Sequence, residues 1–236
     1  MSIDAAIPAI APRQKSVGLH DRAAWWLGAI LLTTALGFQR TLTERLGTLD
    51  LAHTLHGICS TLWLLVLIVQ AELARRKERD AHRMLAVVGT VSALGIAMTA
   101  LPMLANTLAA TAKVPPPVVP MLQELVVLDV GLLVLFAGAF AVAVSHIKRP
   151  LVHARAMATT AMVALPPGIG RWYMRLFDVD AVVGSRLALG TAAMLLTALI
   201  VSDRRAGIVD RLYPAALVVV ALIGVTSPWI TSRVFA

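Results

Sequence analysis

Two imidazoles three residues apart, His53 and His56, fall on one face of a helix and point the same way. Further along the chain, Glu124 and Asp129 put carboxylates inside another apolar stretch. Two imidazoles and a carboxylate from a neighbouring helix form the ligand set that helical bundles use for zinc, copper or iron, so His53, His56, Glu124 and Asp129 are the candidate metal ligands. Asp129 lies about 140° round the helix from Glu124, so the two cannot point squarely at one ion. The competing reading has the histidines at an interface and Glu124 paired with an arginine. Against it, ionisable side chains within apolar helices are costly enough to suggest function.

A second set is His82, His146 and His153. Each stands within about a turn of a basic connection. His82 and His153 open helices from different parts of the chain, and such a pair could supply two axial ligands to haem. Arg171 and Arg175 form a third set, suited to a carboxylate, a phosphate or a haem propionate. His153 and Arg171 would share a face over five turns of an unbroken helix. Pro166, Pro167 and Gly168 lie between them, so a kink or an unwound turn is expected there.

The elements that position these groups are membrane helices. The chain has 236 residues, 58% of them hydrophobic and 14% charged. Its mean hydropathy is +0.81. A soluble domain of this size does not need so much apolar residue. The segment from Leu51 to Leu73 carries no charge before Glu72 apart from any on its histidines, and twenty-odd helical residues cross a hydrocarbon core of roughly 30 Å. His56, Trp63 and Gln70 recur at a spacing of seven with Ser60 alongside, a polar stripe that should face protein. Small residues at spacing four, Ala137/Ala141/Ser145 and Gly184/Ala188/Ala192, predict close helix packing.

Seven apolar stretches are expected to span, at about 24–41, 51–73, 84–108, 120–146, 151–176, 181–202 and 213–234, with residues 1–22 a cytoplasmic tail and 23–236 one transmembrane domain. The N-terminus and alternate connections carry fourteen basic residues against seven on the other side, which puts the N-terminus in the cytoplasm. The same bias accounts for the net charge of +8, so nucleic acid is not expected as a partner. The single cysteine, Cys59, excludes a disulfide framework and a CxxC site. An offset of 71 superposes His82 on His153 and His53 on Glu124, a hint of a two-helix repeat.

His56-Gly57 followed by Trp63 and Gln70, then His82-Arg83, then His153-x-Arg155-x-Met157 with Arg171 downstream, resembles a group of bacterial polytopic membrane proteins with His-Arg-x-Leu-Gly and His-Lys-Arg-Leu-Met helix starts. The likeness covers about residues 50 to 176, with Ala86 and Ala154 departing from the two motifs. Similar patterns occur in multi-histidine membrane proteins linked to haem or to cytochrome oxidase assembly. The resemblance implies a histidine-rich bundle in the bacterial inner membrane.

The leading expectation is an all-α, seven-span protein that binds haem or a transition metal (Cu, Zn or Fe). It would act in electron transfer or beside respiratory-chain membrane proteins. The alternative is a small transporter or binding protein for an anionic solute, engaged by Arg171 and Arg175. A metal-dependent membrane enzyme ranks behind both, because no HExxH, Ser/His/Asp or phosphate-loop pattern is present.

Overall fold

The computed structural model describes residues 22–235. The tail expected over residues 1–22 therefore lies, but for Arg22, outside the described residues. Those residues form eight α-helices and short 3-10 turns, with no strand among them. The helices are α1 (Ala23–Gly37), α2 (Gln39–Glu44), α3 (Leu51–Arg76), α4 (Arg79–Ala110), α5 (Val119–Ser145), α6 (Pro150–Phe177), α7 (Ala181–Arg205) and α8 (Leu212–Val234).

Local chemistry fixes where several of them begin and end. The Asp50 carboxylate accepts the His53 N–H at 2.9 Å and starts α3. Asp180 accepts the N–H groups of Val182 and Val183 at 2.8 and 2.9 Å and starts α7. Pro150 occupies the first turn of α6, where its missing N–H does no harm. Lys77 and Asp178 close α3 and α6 in the left-handed region, at φ 64° and 51°.

Five helical segments are long and apolar enough to cross a membrane: those of α3, α4, α5, α7 and α8. At 15 residues, α1 spans only about 22 Å. The 28 residues of α6 are long enough but do not reach the same apolarity. The reason lies in its position. Eleven residues of α6 are buried, against four of the 26 in α3. It packs on α1, α5 and α7, with further contacts to α3 and α8. Neighbouring helices, rather than lipid, form the solvent of α6, so Arg155, Thr159 and Thr160 are admissible in its core.

Of the kink or unwound turn expected at Pro166 and Pro167, the unwound turn is not found, and α6 stays helical through both prolines. This turn is braced by α1: the Thr34 hydroxyl donates to the Ala164 carbonyl at 3.4 Å, and Trp172 Nε1 donates to the Thr33 carbonyl at 3.2 Å. Close approach depends on glycine there, since a Cβ on Gly168 would come within 2.6 Å of Thr34 Cα. Gly184, Ala188 and Ala192 are likewise buried, and a Cβ on Gly184 would meet Met174 Cγ at 2.7 Å. The second small-residue row behaves differently. Ala137, Ala141 and Ser145 are exposed, because α5 turns the face of Leu128, Leu132, Phe136, Ala139 and Ala143 inward instead.

The stripe on α3 does face protein. Trp63 is 2% exposed and lies edge-on to Phe136 and Phe140 of α5, at 5.7 and 5.6 Å between ring centroids.

Gly168→Ala is expected to destabilise the fold by about 1–3 kcal/mol through overpacking of α1 on α6. Gly138→Ala, which has nothing within 4 Å of the added carbon, should be neutral or slightly stabilising. Unfolding midpoints of the purified protein in SDS titration check the contrast.

Candidate functional site

The four expected metal ligands are not brought together. The His53 ring turns back to Asp50, Nδ1 to Oδ1 at 2.8 Å, while Asn106 donates to the other Asp50 oxygen at 3.1 Å. Asp50 is held below the usual carboxylate range, first by the His53 backbone N–H and then by its imidazole. His56 bonds Thr99 of α4 through Nδ1 at 3.0 Å. Glu124 faces the other way, pairing with Arg186 of α7 and accepting the Ser227 hydroxyl of α8 at 2.8 Å. Asp129 lines a cleft between α5, α6 and α7. Among the described residues no three His, Cys, Asp or Glu side chains converge as a metal site. The physical reason is helix rotation: α5 presents Glu124 to α7 and α8, whereas α3 presents its histidines to α4 and to its own cap.

Arg171 and Arg175 are also occupied. Arg171 Nη1 donates to the Pro167 carbonyl at 2.5 Å, and its guanidinium lies 3.8 Å from the centre of the Phe38 ring. Arg175 donates to the Gly37 carbonyl at 2.6 Å, capping the end of α1. Eighteen residues of continuous helix put Arg171 about 27 Å from His153. It cannot serve a haem held by that histidine.

The opposite end of the bundle is where unpartnered buried polar atoms accumulate. This basic end holds the α3–α4, α5–α6 and α7–α8 connections. His82 and His153 are each the fourth residue of their helix, with N–H groups bonded to Glu78 and Arg149 carbonyls at 3.0 Å. His153 Nδ1 donates to the Ala143 carbonyl at 2.9 Å, which fixes the tautomer and leaves Nε2 with a free lone pair. Gln70 Nε2 donates to the His82 carbonyl at 2.9 Å. The His82 and His153 rings are close enough to act on each other electrostatically. His146 turns back on its own helix, to the Val142 carbonyl at 3.0 Å.

Among the described residues, six buried side-chain atoms lack a hydrogen-bond partner: Trp26 Nε1, Trp63 Nε1, Gln70 Oε1, His82 Nδ1, Arg155 Nη2 and Tyr213 Oη. All but Trp63, which sits midway along α3, belong to helix segments at the basic end. Native interiors leave few such groups, and each calls for a ligand, an ion or a water.

Sequence reasoning placed His82 and His153 at the same end but missed Arg155, Asp203 and Tyr213. Arg155 is fully buried and donates to Asp203 of α7 at 2.7 Å, with its guanidinium 5.8 Å from the Tyr213 ring centre. The available signal was a pair of opposite charges, each about one turn inside the basic end of a span.

No family model matches this chain, and neither a curated protein nor a solved structure does.

Arg155→Met is expected to cost about 3–5 kcal/mol, because it leaves the Asp203 charge buried and unpaired. The double variant Arg155→Met/Asp203→Leu should recover most of that loss. Unfolding free energies of the two variants check this; equal losses would show that the pair is not the determinant.

Proposed function

We propose that this is a multi-span bacterial inner-membrane protein that holds a transition-metal ion at its basic end. His82 and His153 serve as the imidazole ligands and Gln70 Oε1 as a supporting oxygen. The observation that carries the reading is the pairing of a fixed tautomer with orphaned ligand atoms. His153 donates Nδ1–H to a backbone carbonyl, as metal-bound histidines do, and so presents Nε2. At the same end, and within electrostatic range of His153, the His82 ring leaves Nδ1 buried with no partner, as does Gln70 its Oε1. A cation gives these atoms the partner that the fold does not.

Two imidazoles and an amide oxygen suit zinc, copper(II) or iron(II). A redox-active ion here would serve electron transfer or the supply of metal to a respiratory enzyme. In this reading α1 and α6 complete seven spans, α1 together with the turn that follows it and α6 within its protein sheath. The basic bias then puts the site near the cytoplasmic face. The alternative of an anionic solute at Arg171 and Arg175 ranks second, because both guanidinium groups already hold α1 and the proline turn of α6.

Metal titration and elemental analysis of the full chain in nanodiscs test the proposal. About one ion per chain is expected, lost in His82→Ala and His153→Ala and kept in His53→Ala and His56→Ala. Gln70→Leu should weaken binding by roughly 10–100-fold, the range met when a supporting group is removed. Metal at trace level in the wild type, or equal loading in the two histidine variants, would overturn it.

A further inference from the structure

The three connections at the basic end do not share one charge pattern. In the α3–α4 and α7–α8 connections cations are interspersed with acids: Glu72 holds Arg75 and Arg76, Asp80 stands 3.9 Å from Arg83, and Asp210 precedes Arg211. The α5–α6 connection has no acid at all. No acidic residue occurs between Asp129 and Asp178, and Arg155, the next cation along α6, is already taken by Asp203. Lys148 and Arg149 are left adjacent and exposed, and among the described residues no carboxylate is in ion-pair contact with either.

Orientation in the membrane requires cations on this side, but not their separation from acids. Two further features mark the turn. It is closed by the Arg149 N–H, which donates to the His146 carbonyl at 2.8 Å, so both cations stand on a fixed backbone. Apolar side chains flank them: Ile147 is 66% exposed and Leu151 46%. Since α5 is long and apolar enough to cross a membrane and ends at Ser145, the residues just past it stand at headgroup level once the span is in place. There the cations meet phosphates and the isoleucine and leucine meet acyl chains. A water-soluble acidic partner would answer the charge and leave the apolar pair in water.

We infer that the α5–α6 turn binds an anionic phospholipid, its headgroup phosphate held by Lys148 and Arg149 and its acyl chains against Ile147 and Leu151. Arginine brings a planar fork to the phosphate oxygens and lysine a compact point charge. A soluble phosphodiester shares the phosphate chemistry but has nothing to lay on the apolar flanks.

Native mass spectrometry of the delipidated full chain in a neutral detergent tests the inference by counting bound lipid during titration with dioleoyl-phosphatidylglycerol or dioleoyl-phosphatidylcholine. The first phosphatidylglycerol should bind wild-type protein at least about 25-fold more tightly than the first phosphatidylcholine, about fivefold for each cation. Lys148→Gln/Arg149→Gln should lower that ratio about 25-fold. Arg204→Gln/Arg205→Gln, which removes the same charge from the same end, should leave it within about twofold of wild type. Excess diethyl phosphate, a soluble phosphodiester, should not displace the lipid. Equal binding of the two lipids by the wild type needs no variant to interpret and would overturn the inference. Equal losses in the two double variants would reduce the site to the general positive field of this end, and displacement by diethyl phosphate would assign it to soluble phosphate; either result overturns it as well.

Discussion

The fold depends on the enclosure of α6. A helix carrying Arg155, two buried threonines, two prolines and Arg171 is too polar to face acyl chains, so it is stable only where other helices take the place of lipid. Close approach supplies that enclosure: Gly168 against Thr34 of α1, and Gly170 against Gly184 of α7. The enclosure also creates the demand for internal partners. Arg155 finds Asp203 in the buried core, and the α1 carbonyls find Trp172 and Arg175.

This enclosed helix divides the polar groups of the protein into two populations. At one end His153 and Arg155, two residues apart, leave α6 on nearly opposite sides. One goes toward α5 and the histidine pair, the other toward Asp203 and Tyr213. At the other end the arginines of α6 clasp α1, and the proline turn forms one wall of the Asp129 cleft. At the end away from the basic connections His53, His56 and Glu124 are satisfied by Asp50, Thr99 and Arg186, and most of the orphaned polar atoms lie at the basic end. A group already paired has little left to offer a ligand. For that reason the basic end carries the functional proposal.

Much of the fold was legible in the sequence because lipid imposes a simple rule on the helices it touches. The uncharged run of α3, the stripe of His56, Trp63 and Gln70, and the Gly184/Ala188/Ala192 row all face where their spacing says. Partner choice was not legible, since spacing gives the face of one helix but not the rotation of its neighbour. Glu124 and His53 coincide at one sequence offset, yet they point to different helices. The Ala137/Ala141/Ser145 row has the pattern of a packing face and lies on the outside. The Pro166-Pro167 pair has the pattern of a break, and bracing by α1 keeps it helical.

Every site residue on α6 takes its place from that enclosure, so direct measurement of its surroundings is the sharpest test. Single spin labels scanned over residues 156–170, in a Cys59→Ala background in nanodiscs, report collision with oxygen from lipid and with a nickel chelate from water. Low accessibility to both reagents along the buried positions is the predicted result, in contrast to a periodic oxygen maximum along α3. A comparable periodic oxygen maximum centred on Ala158, Ala161 and Leu165 would place α6 against lipid and contradict the account.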